Sequence, residues 1–88
     1  MALAEIIARY VAILERAASE THRAEDRPLF QELLADSAGL LSAALIDIDP
    51  SRVRERVSKH ERLWGHLWIQ GDCYRETRAA WQEVVDAR

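Results

Sequence analysis

The chain has 88 residues, a formal net charge of −3 and a single cysteine. So short a chain makes one small domain spanning residues 1–88, and it buries only roughly 60–65% of its unfolded surface, which leaves a lone monomer little stability to spare. Three Gly and two Pro argue against a turn-rich all-β fold, and the composition excludes a collagen-like repeat, a disulfide scaffold and a disordered tail. No run approaches 18 consecutive apolar residues, so no membrane span is predicted.

Charge is unevenly spread. Residues 1–49 carry 4 Arg against 9 acidic residues, and residues 50–88 carry 8 basic against 6 acidic ones. The two halves should therefore attract, within one chain or between chains. The bases are 11 Arg and 1 Lys, and the planar guanidinium suits ion pairs between helices. Cys73 has no partner for an intramolecular disulfide, which fits a reducing compartment. Met1-Ala2-Leu3-Ala4-Glu5 has no basic start or apolar run of a leader peptide, so a cytoplasmic location is expected.

From Leu3 to about Arg23, Leu3, Ile6, Ile7, Tyr10, Val11, Leu14 and Ala17 recur at three- and four-residue steps. That period predicts a helix with a wide apolar face. A second helix should start at Asp26-Arg27-Pro28, where the Asp can cap and the Pro sits in the first turn. Its stripe runs through Leu29, Phe30, Leu33, Leu34, Leu40, Leu41 and Leu45. Ala35, Gly39 and Ala43 form a separate small-residue strip, which a close backbone crossing would explain. Asp49-Pro50 reads as the cap and first residue of the next helix. The short link between these two helices predicts antiparallel neighbours.

The C-terminal segment is ambiguous. Positions 53, 57, 60, 64, 67, 71, 74, 78, 81 and 85 keep a seven-residue repeat across Gly71. One reading is a continuous helix from Pro50 to Asp86. The other breaks at Gly71-Asp72, a good stop followed by a good start, and sparse apolar residues over 75–80 favour it. The predicted fold is all-α: a helical hairpin and a long C-terminal helix, kinked or broken, in an antiparallel bundle of three to four helices.

Sites of chemistry are few. His60, Trp64, Leu67 and Trp68 share one helical face, and His60 on that stripe suggests a neutral, hydrogen-bonded imidazole. Two Trp one turn apart are a large apolar commitment for so small a chain, and Trp is enriched at interface centres. His60, Trp64, Trp68, Tyr74 and Trp81 are therefore the candidate interface, with a second copy of the chain as the expected partner. The rival reading uses His60 and the Trp64/Trp68 face to hold a small ligand or a metal. No Glu-x-x-His pair exists, and His22 with Glu25 and Asp26 reads better as a solvated helix end. Cys73 lacks zinc-spaced companions, and no nucleophile elbow or phosphate loop is present. These absences predict no enzyme activity, cofactor or metal. The basic run Arg52-Arg54-Arg56-Lys59 is read mainly as a counterpart to Asp47 and Asp49. Nucleic acid is disfavoured by the acidic whole, and an acidic protein partner is the alternative.

Overall fold

The computed structural model describes residues 2–20, 24–46, 49–65 and 72–87, without the side chains of residues 25 and 72–74. These residues form four helices and no strand: α1 (Leu3–Glu20), α2 (Arg27–Ile46), α3 (Pro50–Trp64) and α4 (Asp72–Ala87). A single 3-10 turn, Ala24–Asp26, leads into α2. The all-α class read from the periodicity is the one observed.

Buried residues recur at three- and four-residue steps along each helix, with Ala80 and Trp81 an adjacent pair on α4. The buried positions are Ile7, Tyr10, Leu14 and Ala17 on α1, and Phe30, Leu33, Ser37 and Leu40 on α2. Val57, His60 and Trp64 follow on α3, and Thr77, Ala80, Trp81 and Val84 on α4. The apolar members form one cluster. Burying a single Leu or Phe there contributes roughly 1.5–3 kcal/mol. Ser37 is buried without penalty because its hydroxyl donates to the Leu34 carbonyl of the preceding turn at 2.7 Å.

Helix α1 packs against both α2 and α4, and α2 packs against both α1 and α3. By length and composition α2 is apolar enough to cross a membrane, although no unbroken apolar run marks it. Only 22% of that window is buried in the bundle, so its apolar character exceeds what packing on α1 and α3 uses. Spanning a bilayer would carry Glu32 and Asp36 into hydrocarbon.

The junction before α3 matches its prediction. Asp49 is extended and its Oδ1 accepts from the Ser51 amide at 2.9 Å, with Pro50 in the first helical position. The C-terminal segment corrects one alternative. A straight helix from Pro50 to Asp86 would be about 55 Å long at 1.5 Å per residue, whereas the molecule's longest dimension is 39 Å. Helix α3 instead stops at Trp64, with Gly65 as its C-cap in right-handed helical geometry. Residues 66–71, which include the expected break at Gly71, lie outside the described residues, and α4 begins at Asp72.

Two ion pairs, Arg9 with Glu83 and Arg16 with Glu76, join α1 to α4 across the surface. Here the base comes from the first half and the acid from the second, opposite to the halves' net charges. Such half-exposed pairs contribute at most about 1 kcal/mol each.

Gly39 does not serve a backbone crossing. A Cβ at Gly39 would meet the Arg56 guanidinium, with Nη1 at 3.1 Å. That group is the mobile end of a long side chain and can move aside. Replacing Gly39 by Ala should therefore stabilise the fold by about 0.5–1 kcal/mol through helix propensity. Urea unfolding checks this, and destabilisation by a similar amount would mean that the guanidinium is held in place.

Candidate functional site

The most ordered polar feature lies inside the bundle. Tyr10 of α1 and His60 of α3 are both 0% exposed. The Tyr10 hydroxyl lies 2.5 Å from His60 Nε2, and the Trp64 indole N–H donates to the same hydroxyl at 2.8 Å. On its other side His60 Nδ1 lies 3.0 Å from Asp36 Oδ2 on α2. Lys59 Nζ approaches the second Asp36 oxygen at 3.7 Å. Trp81 of α4 completes the cage, with its ring centroid 5.2 Å from Tyr10 and 4.7 Å from His60. Residues from all four helices thus meet at one imidazole.

Donor counting assigns the protons. A carboxylate can only accept, so His60 Nδ1 carries the hydrogen and donates to Asp36. Nε2 is then an acceptor, and it receives the Tyr10 hydroxyl hydrogen. The Tyr10 oxygen in turn accepts from Trp64. The chain runs one way, from Trp64 through Tyr10 and His60 to Asp36, and every group in it is used. Among the described residues no buried side-chain nitrogen or oxygen lacks a partner.

A second proton on His60 would spoil this order. Nε2–H would point at the Tyr10 oxygen, and the phenolic hydrogen would lose its acceptor in a dry site. Burial pushes the His60 pKa below its ordinary 6.5, outweighing the hydrogen bond and the charge of Asp36. Burial likewise pushes the Tyr10 phenol far above its usual range, against the lowering hydrogen bond from Trp64. Tyrosine, histidine and aspartate in sequence have the layout of an activated nucleophile. Here burial favours the protonated phenol and Tyr10 is sealed from solvent, and its hydrogen bonds join α1 to α3.

The structure brings together three of the five candidate interface residues. His60, Trp64 (3% exposed) and Trp81 (5% exposed) are buried within a single chain. A second copy would add almost nothing to their burial, so they hold the core rather than offer a docking face. Trp68 lies outside the described residues, as does the side chain of Tyr74. The Tyr10, His60 and Trp81 rings are in mutual contact, and the Trp68 part of the alternative ligand face lies outside the described residues. Among the described residues, no three His, Cys, Asp or Glu side chains gather as metal ligands do. Sequence reasoning missed Tyr10 and Asp36. The available signal was Asp36 itself, one of two acids within the apolar run of α2.

Two surface features remain. One is an open groove of about 1300 Å³ along α2 and α3, lined by Gly39, Ser42, Ala43 and Ile46 on one side. Arg52, Arg54, Arg56, Lys59 and Arg62 line the other, with Glu55 their single acid. The other feature is the outward face of α2, which ends in Leu45 (67% exposed) and Ile46 (77% exposed). No protein-family model matches the chain, and no curated protein or solved structure shows significant similarity to it.

The buried imidazole dictates a pH dependence. Unfolded, His60 takes up a proton near pH 6.5; folded, it does so only at lower pH. Between those values the unfolded chain binds more protons, so stability rises with pH. The contribution of His60 is complete above pH 6.5 and is lost as pH falls through the folded pKa, by at most about 1.4 kcal/mol per pH unit. Chemical unfolding at pH 7.5 and 5.0 should show lower stability at 5.0; equal or greater stability there would contradict a neutral His60.

Proposed function

We propose that this chain is a non-enzymatic protein-interaction module that pairs with a second copy of itself through the outward face of α2. One observation carries the reading. From Gln31 onward the exposed positions centred on that face are Gln31, Ala35, Ala38, Ser42, Leu45 and Ile46, with no charge among them. Glu32 sits only at its margin, towards α3. The exposed sides of α1, α3 and α4 all carry several charges, and 31% of the whole chain is charged. An uncharged stripe ending in two exposed large aliphatic residues is the kind of surface that a partner covers.

Self-pairing is supported by the order of residues along the stripe. In one antiparallel register Ala35 faces Ala38 of the partner subunit, and Gln31 faces Ser42 of the partner subunit. Small faces small and polar faces polar, so the two axes can approach to about 8 Å. Arg27 then lies beside the carbonyl end of the partner's α2. That helix has no basic residue in its own last turn, so the guanidinium meets an uncompensated partial negative charge. The sealed Tyr10–His60–Asp36 chain supports the non-enzymatic half of the reading. The second copy adds buried area to a chain whose own core is small.

Native mass spectrometry across a hundredfold concentration range tests the pairing. Doubling of the 10.1 kDa mass is expected for the wild type. Ala38→Glu should weaken dimerisation at least tenfold with helicity and melting of the monomer unchanged. A wild type that stays monomeric throughout, or an Ala38→Glu variant that dimerises as before, would overturn the reading.

A further inference from the structure

The groove between α2 and α3 borders the proposed pairing face, sharing Ser42 and Ile46 with it at their common edge, and takes a different occupant. We propose that it binds an acidic, amphipathic segment of a partner protein. Five cations against one acid line it, although the chain as a whole carries −3. The positive charge is therefore local and confined to one surface.

Its spacing suits a regular polypeptide. Arg52, Arg56 and Lys59 follow at i, i+4 and i+7, so they form one rank about 10 Å long on α3. Lys59 already lies 3.7 Å from Asp36, so an acid on a docked helix meets Arg56 first, and acids one turn to either side extend the contact along the rank. Among the described residues neither Arg56 nor Arg62 has a carboxylate partner of its own. The Arg56 guanidinium lies over Gly39, so the cationic wall leans across the small-residue floor. Ile46, largely bare, gives the groove an apolar edge.

That edge decides between classes of polyanion. A nucleic-acid backbone would use the arginines but leave Ile46 uncovered. A segment with acids on one side and aliphatic residues on the other uses both. Arginine recognises such carboxylates through paired N–H donors, which gives orientation as well as attraction.

Fluorescence anisotropy on the full chain tests this. The probe is a labelled 16-residue helix-forming peptide with Glu on one face and Leu on the other. A scrambled peptide of the same composition and a 16-base-pair DNA duplex serve as comparators. Saturable binding of the amphipathic peptide is expected, at least tenfold tighter than the scrambled peptide and the duplex. Charge reversal of the pair, Arg56→Glu with Arg62→Glu, should weaken it at least tenfold; Arg78→Glu on the exposed side of α4 should leave it unchanged. If the reversal lowers helicity, Arg56→Gln with Arg62→Gln replaces it, with a loss of at least threefold expected. No saturable binding, scrambled peptide within twofold, tighter binding of the duplex, or indifference to the arginine changes would each overturn the proposal. Ala38 is not part of the groove lining, so Ala38→Glu should leave peptide binding as tight as in the wild type or tighter, since the second copy no longer covers Ser42 and Ile46; failure of self-pairing and failure of the groove are thus read separately.

Discussion

The fold turns on the requirement that polar groups taken out of water keep their hydrogen bonds. His60 is the group on which this requirement falls hardest. It sits at the centre of the bundle, and its two nitrogens need an acceptor and a donor from different helices. Asp36 on α2 and Tyr10 on α1 supply them. Trp64, one turn along α3, then satisfies the remaining lone pair of the phenol. A slip of α3 by one turn would orphan several buried groups at once, each at a cost of about 1–3 kcal/mol. Apolar packing alone tolerates such slips more readily, because one aliphatic residue replaces another. The polar chain thus sets the register of α1, α2 and α3, and Trp81 brings α4 against the same rings.

Helix α2 carries the consequences outward. One flank meets α1, another meets α3, and Asp36 anchors it to His60. Only 22% of its apolar window is buried, because a third side faces solvent. That side is uncharged, and its edge towards α3 forms the floor of the basic groove. The same helix therefore connects the buried network to both surfaces on which the functional reading rests. Neither surface uses Trp64 or Trp81, which are buried in the core.

Much of this architecture was legible in the sequence, and the parts that were not share a cause. The start of α2 at Arg27 and the turn into α3 at Pro50 were readable because proline and aspartate act locally on the backbone. The apolar faces of α1 and α2 were readable because their period repeats over several turns. The end of α3 at Trp64 was not, since the seven-residue repeat continues in phase beyond it and outweighed the one local stop signal, Gly65. The neutral, hydrogen-bonded state of His60 was anticipated from its place on an apolar stripe. Its partners were not, because Tyr10 lies 50 residues away and Asp36 lies 24 away. Trp64 and Trp81 looked like interface residues for a related reason. Periodicity marks a side chain as buried without saying whether its own chain or another does the burying. The charge imbalance between the halves is consistent with the Lys59–Asp36 contact, but the basic run was expected beside Asp47 and Asp49, and the imbalance gave no hint of the opposite pairing between α1 and α4.

The most direct measurement is the protonation of the His60 ring, read by long-range proton–nitrogen correlation NMR at pH 6 to 7. A neutral imidazole is expected, with its hydrogen on Nδ1 and a bare Nε2 that accepts from Tyr10. The Tyr10 hydroxyl hydrogen should be visible in slow exchange with water. An imidazolium at pH 6, or a neutral ring with its hydrogen on Nε2, would contradict the one-way chain from Trp64 to Asp36 and the register argument built on it.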